Sequence, residues 1–240
     1  MEEQFDDNIK QLCDEIRVFA PLRFEQHDKK SYNSIIKKEN GVGKPVEAIV
    51  YYYEPLCLAK IAHELYHLKI GLTMGDNSDM LTTVERSGLY ACMILNKEFC
   101  SDFLNQAEHV IFYPYYHAQG YSDDEFFEEI APEQFKSVYD DIVKNGLRNR
   151  SGEYVYNRVC NYLKLMTLYM FFPIDNRFAV ENRQMKHVDA ALYNIMKNFK
   201  KVLLSVKINP TDWPQLEIAY INYRKEIEKW TSNHNISLYS

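Results

Sequence analysis

The sequence predicts an α+β fold that is predominantly α-helical, with a small sheet beside one functional helix. Three observations support this class: apolar residues recur at helical spacing over most of the chain, Gly and Pro number only 8 each in 240 residues, and one short stretch is rich in β-branched and aromatic residues. Hydrophobic residues make up 46% and charged residues 26%, which is typical of a globular protein that buries a sizeable core.

The N-terminal part is predicted to contain a helix, a polar loop, a strand and a second helix. Residues 2–19 have amphipathic helical spacing, and residues 25–45 are polar and loop-like. The stretch 46–53 is expected to be a strand, and is a candidate edge strand for pairing with an extended substrate peptide. Pro55 is suited to the first position of the next helix, and Gly71 is placed to end it.

The rest of the chain is predicted to be helical. Residues 81–109 have helical spacing with a break near Asn96, and Pro114 is expected to interrupt the segment after residue 109. Ser122 and Glu125 form a capping box, in which each side chain can satisfy a free backbone amide of the other. Further helices are expected from Pro132 to Asn145 and near 152–171, 181–205 and 213–232.

The overall charge and the cysteine content narrow the class of protein. A formal net charge of -6 argues against general nucleic-acid binding, which depends on clustered Lys and Arg. No uninterrupted apolar stretch is long enough to span a bilayer, so no membrane partner is expected. The five cysteines include no CxxC pair, and the N-terminus is acidic and not signal-like. We therefore expect a cytoplasmic protein with free thiols.

The segment His63-Glu64-Leu65-Tyr66-His67 contains the H-E-x-x-H pattern inside a predicted apolar helix. Two histidines four residues apart lie on one helical face, so their imidazoles can bind one ion, and nitrogen ligands suit Zn²⁺. Burial of these polar groups in an apolar helix is costly unless a partner satisfies them, and a metal would do so. Glu64 is placed to activate a water molecule at the metal. The sequence therefore predicts His63 and His67 as metal ligands and Glu64 as the catalytic residue.

A catalytic zinc takes three ligands from protein, so one more ligand is required. The extended three-histidine motif is excluded, because Ile70 and Thr73 stand where it needs Gly and His. Glu108 would complete a site of two His and one Glu, and is favoured. His109 would complete a site of three His, or hydrogen-bond a ligand, and Glu85 is a third candidate.

The aromatic segment after His109 offers candidates for a hydrogen bond to the developing oxyanion of a hydrolytic reaction. Tyr113, Tyr116 and His117 are the residues that could donate it if the segment passes the metal. The alternative is that this segment is simply packed in the core.

The H-E-x-x-H motif, on a helix that comes after a strand, resembles the active helix of zincin metallopeptidases. The separate acidic ligand downstream resembles the gluzincin branch, and the small ImmA/IrrE-like proteins of bacteria and phage are the nearest comparison, over residues 45–115. The resemblance implies a zincin-like metallopeptidase with a protein or peptide substrate. Because the chain after about residue 148 is predicted to be helical and contains no motif, we expect the metallopeptidase domain over residues 1–148 and a helical C-terminal part over 149–240. The alternative is one continuous domain.

These observations lead to three hypotheses. The first is a cytoplasmic zinc metallopeptidase, in which Glu64 acts as the general base and then as proton donor to the leaving amine. The second is a non-catalytic zincin-like regulatory or interaction module with a structural or sensory metal site. The third is a helical interaction protein without a metal.

Overall fold

The predicted class is confirmed by a computed structural model, which describes residues 1–39, 43–74, 89–127, 135–172 and 177–238. Helices predominate, and a three-stranded sheet lies early in the chain. No helix in these ranges is long and apolar enough to cross a membrane. The strands are β1 (Leu22–Gln26), β2 (Asn33–Lys38), β3 (Pro45–Tyr52), β4 (Tyr154–Val155) and β5 (Ile236–Ser237). The helices are α1 (Asp7–Arg17), α2 (Leu58–Thr73), α3 (Leu89–Ile94), α4 (Lys97–Ala118), α5 (Asp123–Phe127), α6 (Lys136–Asn145), α7 (Tyr156–Met170), α8 (Ala179–Val188), α9 (Ala190–Leu203) and α10 (Trp213–Ser232).

The three-stranded sheet has the order β1-β3-β2, with β3 parallel to β1 and antiparallel to β2. Two predictions are therefore wrong. The strand at 46–53 is central and not an edge, so both of its sides are already hydrogen-bonded and it has no free edge for a substrate peptide. The polar segment 25–45 is not only a loop, because it contains β2, and residues 40–42 of it lie outside the described ranges.

One face of the sheet packs on the helices of the N-terminal part. Side chains alternate along a strand, so Phe24, Ile36 and Val50 point to the same face. On that face Phe24 meets Phe5, with ring centroids 5.1 Å apart. The three central residues of β3 are fully buried, which makes this strand the core of the sheet.

The opposite face carries a row of charges that crosses all three strands. Glu47 on the central strand lies 3.4 Å from Arg23 of β1 and 3.1 Å from Lys37 of β2, measured between charged atoms. Arg23 is also paired with Glu25 of its own strand. These groups are partly exposed, so each pair contributes at most about 1 kcal/mol to stability.

Helix α2 differs from its predicted bounds at both ends. It begins at Leu58 and not at Pro55, and it continues to Thr73. Gly71 therefore lies inside the helix and does not end it. A Cβ at Gly71 would lie 2.7 Å from Cδ1 of Ile36 on β2. The absence of a side chain lets this helix approach the sheet closely, which explains a glycine within a helix.

This close approach predicts the effect of Gly71→Ala on stability. Alanine is better than glycine in a helix by about 1 kcal/mol, and Ile36→Val removes the methyl group that a Cβ would meet. We expect Gly71→Ala to raise the free energy of unfolding by about that amount in the Ile36→Val background, and by less with Ile36 present. Urea denaturation of the four proteins measures this difference. Equal gains in both backgrounds would contradict the contact.

The chain forms two compact units, and one of the points at which it passes between them lies within α4, between Ile111 and Phe112. The first unit contains α1, the three-stranded sheet, α2, the C-terminal end of α4 and α5. The second contains most of the remaining helices and the pair β4–β5. The domain boundary at residue 148 stays a prediction.

The second unit has an aromatic core around Phe103. Its ring stacks on those of Tyr223 and Phe199, with centroids 4.7 Å and 5.2 Å away.

The predicted helix over 181–205 is divided into α8 and α9 at Asp189, which has an extended backbone. The side chain of Asp189 caps α9, because it accepts a hydrogen bond from the amide of Leu192 at 2.9 Å.

Helix α4 begins where the sequence predicted a break, but Pro114 does not end it. Asn96 accepts a hydrogen bond from the amide of Phe99 at 2.9 Å, which starts the helix. Pro114 lies inside the helix, which continues to Ala118. A proline costs one backbone hydrogen bond there, and the fully buried rings of Phe112 and Tyr116 on either side offset that loss.

Candidate metal centre

Helix α2 holds the two histidines of the motif on one face. Its apolar residues Ile61 and Leu65 are fully buried, which fixes the rotation of the helix, and His63 and His67 are partly buried. The two Nε2 atoms lie 3.1 Å apart. Two nitrogens bound to one tetrahedral zinc at bonds of about 2.05 Å are separated by roughly 3.3 Å. The spacing of the pair therefore fits ligation of a single ion.

A third imidazole comes from helix α4. His109 is buried, with 5% of its surface exposed, and one ring nitrogen of each of His63, His67 and His109 lies within 4.8 Å of the others. The Nδ1 atom of His109 lies 3.3 Å from the side-chain oxygen of Gln106. In the tautomer that donates from Nδ1 to this oxygen, Nε2 keeps its lone pair for a metal. These three histidines can hold a metal ion.

Phe112, at the C-terminal end of α4, packs against the motif. Phe112 is one turn beyond His109, and its ring meets those of His63 and His67 edge-on, with centroids 5.3 Å and 4.9 Å away. The ring of Tyr66 stacks on Phe112 at 5.3 Å with an angle of 6° between planes. Since residues three apart share a helical face, these contacts turn His109 toward the same side as Phe112.

The surroundings of His63 favour the neutral imidazole that a metal requires. Burial lowers the pKa of His63 well below its ordinary value, and the neighbouring His67 and Lys60 lower it further. A neutral ring has a lone pair available on one nitrogen, so a metal does not have to displace a proton from it.

Aromatic rings cover one side of the histidine pair. Phe126, on the short helix α5, lies with its centroid 4.8 Å from the ring of His63, and Tyr116 lies 6.5 Å away. An apolar wall of this kind keeps water away from that side and strengthens polar interactions within the site.

The predicted site residues do not all belong to the histidine cluster. Glu64 is partly buried and comes directly after His63 on α2. His109 joins the histidine cluster, whereas Glu108 is partly buried elsewhere. Burial raises the pKa of Tyr220, and the charge of Glu108 raises it further. Among the described residues, Glu108 is not a member of the metal-competent group. Glu85, the third candidate, lies outside the described ranges.

The three candidate oxyanion donors have partners within the protein. The hydroxyl of Tyr116 donates to the carbonyl oxygen of Ser122 at 3.2 Å, and that of Tyr113 donates to Asp123 at 2.8 Å. The Nδ1 atom of His117 lies 3.1 Å from the same carboxylate. The ring of Tyr116 lies beside that of His63, with 6.5 Å between the two centroids.

Sequence reasoning missed Phe112 and Phe126, whose rings contact the motif histidines, although it named the neighbouring Tyr116. Phe112 had a usable signal, since it lies three residues after His109 and shares a helical face with it. Phe126 had none, because it reaches the site only through the folding of the chain after α4.

No family model, characterised protein or solved structure matches the chain. The support for a functional site therefore comes from the geometry of the three histidines.

Proposed function

We propose that this protein is a zinc-dependent hydrolase that cleaves a peptide bond of a protein or peptide substrate. The observation that carries the proposal is the convergence of His63, His67 and His109, with Glu64 next to His63 on the same helix. Imidazole nitrogen is the ligand type of many catalytic zinc sites, and three protein ligands leave one position for water or substrate.

Within this proposal the residues of the chain have three separate roles: metal binding, exclusion of water and proton transfer. The three imidazoles bind and orient the metal, and the wall of Phe112 and Phe126 excludes water from one side. A zinc ion held there would supply Lewis acidity to a water molecule and to the scissile carbonyl. Glu64 would accept a proton from the attacking water and later deliver it to the leaving amine.

The metal is proposed as zinc on the chemistry of the donor set. Three imidazole ligands also suit copper, nickel or iron, but the H-E-x-x-H arrangement resembles that of zinc peptidases.

The described cysteines form no disulfide, which favours a reducing compartment such as the cytoplasm.

A non-catalytic role for the same metal is the second candidate. The observation that favours it is the aromatic cover over His63, where Phe126 and Phe112 approach within 4.8 Å and 5.3 Å between ring centroids. A metal enclosed in this way would stabilise the fold or report on metal supply, and would not require Glu64.

Removal of the metal tests the proposal. We expect the purified protein to contain roughly one zinc per chain, and a chelator to lower its melting temperature, because a metal that binds only the folded state stabilises it. Hydrolysis of a mixture of fluorogenic peptides should stop with chelator and return with added Zn²⁺. A protein prepared with ample zinc that holds only a small fraction of one ion per chain would contradict the proposal.

A further inference from the structure

A basic segment joins α6 to α7 in the second unit, far in sequence from the histidines. Residues 144–158 contain four basic residues and one acidic residue, in a chain whose net charge is -6. The charge of this segment is therefore opposite in sign to the net charge of the chain.

The segment is held in a defined conformation by its own hydrogen bonds. The side-chain oxygen of Asn149 accepts from the amides of Ser151 and Glu153, each at 3.0 Å. Gly146 and Gly152 have φ angles of 67° and 83°, which L side chains rarely adopt. Asn149, Gly146 and Gly152 therefore stabilise this turn, which gives the backbone that carries the basic side chains a defined conformation.

Two arginines of the segment are positioned by neutral groups. Arg148 donates to the carbonyl oxygen of Gly152 at 2.6 Å, and its guanidinium lies 4.0 Å from the centre of the Tyr154 ring. Arg158 donates to the carbonyl oxygen of Arg148 at 3.0 Å. A guanidinium has five N–H donors, and a carbonyl oxygen does not neutralise its charge. Both groups thus keep their charge and further donors.

The carboxylates near these arginines are bound by amides. Asn145 donates to Asp141 at 2.7 Å, and Asn149 donates to Glu153 at 3.1 Å. Within the described part of the chain, no ion pair includes Arg148, Arg150 or Arg158. The positive charge of the segment is therefore not neutralised by direct pairing with the protein's own acidic groups.

These arginines line one cavity of about 750 Å³ that is open to solvent, within the size range of sites for small molecules. Its lining residues are Asn145, Arg148, Asn149, Arg150, Ser151 and Arg158. We propose that this cavity, named here the arginine pocket, binds a compact phosphate-bearing small molecule with at least two negative charges.

The chemistry of the pocket selects this class of ligand. All six lining residues are polar or charged, which favours a ligand that carries charge and hydrogen-bonding groups. Arginine matches phosphate in charge and geometry, since its planar group donates two parallel hydrogen bonds to two oxygens. The side chains that line the cavity belong to one short segment, and the net charge of the chain is negative, so a long polyanion such as a nucleic acid is disfavoured.

The test uses inorganic pyrophosphate as the probe and isothermal titration calorimetry of the full chain. Arg150→Gln is the main variant, because Arg150 takes part in no hydrogen bond or ion pair within the described ranges, and its loss should not disturb folding. Arg158→Gln is the second variant. Arg183→Gln is the matched control, since Arg183 is exposed on α8 of the same unit.

We expect saturable binding that weakens about tenfold in Arg150→Gln and Arg158→Gln and stays unchanged in Arg183→Gln. Binding should also be unchanged in His63→Ala, which separates the arginine pocket from the metal centre and from chelation of zinc by the probe. Absence of saturable binding, or equal affinities of Arg150→Gln and Arg183→Gln, would overturn the proposal. Tighter binding of a 12-nucleotide single-stranded DNA than of pyrophosphate would also overturn it.

Discussion

Glu64→Gln is expected to lower the rate of peptide hydrolysis by roughly a hundredfold to ten-thousandfold, the usual contribution of a general acid–base group, while the protein keeps its zinc. Glutamine has nearly the same shape, but it cannot accept a proton from water at neutral pH. The group that can bind the metal consists of three histidines and does not include Glu64, so the metal content should not change. Turnover of a fluorogenic peptide and zinc content by elemental analysis are measured on the same preparation.

Glu98→Gln is the control for this variant. Glu98 is an exposed residue of α4 that pairs with Lys164 at 2.9 Å, and its loss should leave turnover unchanged. If the wild type holds zinc but Glu64→Gln performs as well as the wild type in every assay, the non-catalytic role is correct and the hydrolase proposal fails.

His109→Gln is expected to weaken zinc binding by about a hundredfold or more, whereas Glu108→Gln should leave it nearly unchanged. The reason is geometric, since a ring nitrogen of His109 lies within 4.8 Å of those of His63 and His67. Competition with a chromophoric chelator measures both affinities. His187→Ala, at an exposed histidine of α8, is the control for general effects of losing an imidazole.

The opposite pattern of zinc binding would contradict the three-histidine ligand set. Loss of zinc in Glu108→Gln, with zinc retained in His109→Gln, would show that the site has two histidines and one glutamate. Circular dichroism and the urea midpoint of each variant separate a lost ligand from a lost fold, which matters because His109 is buried.

The sequence predicted the two motif histidines and the helix that carries them, because both depend on local spacing. The apolar residues Ile61, Leu65 and Leu68 recur at helical positions, and this pattern alone places His63 and His67 on one face. The choice between Glu108 and His109 could not be made in this way. Adjacent residues differ by about 100° around a helix, and only packing against other elements decides which one faces the site.

The sheet was underestimated for a related reason. Strands β1 and β2 contain charged residues such as Arg23 and Lys37, so neither has a strong hydrophobic signal. Their pairing with β3 depends on contacts that are distant in sequence. Gly71 gave a false end to α2 because glycine is common both after helices and at close contacts, and the neighbouring Ile36 that distinguishes these cases lies 35 positions earlier.

The charged row across the sheet also bears on how faithfully the strands pair. A shift of β2 by one residue against β3 would move Lys37 to the face that packs on α2 and expose Ile36 to water. Both changes are unfavourable, so the attraction between Glu47 and its two basic neighbours adds to a strong preference for one register. The same charges discourage the outer strands from joining those of another molecule, which guards the folded protein against aggregation.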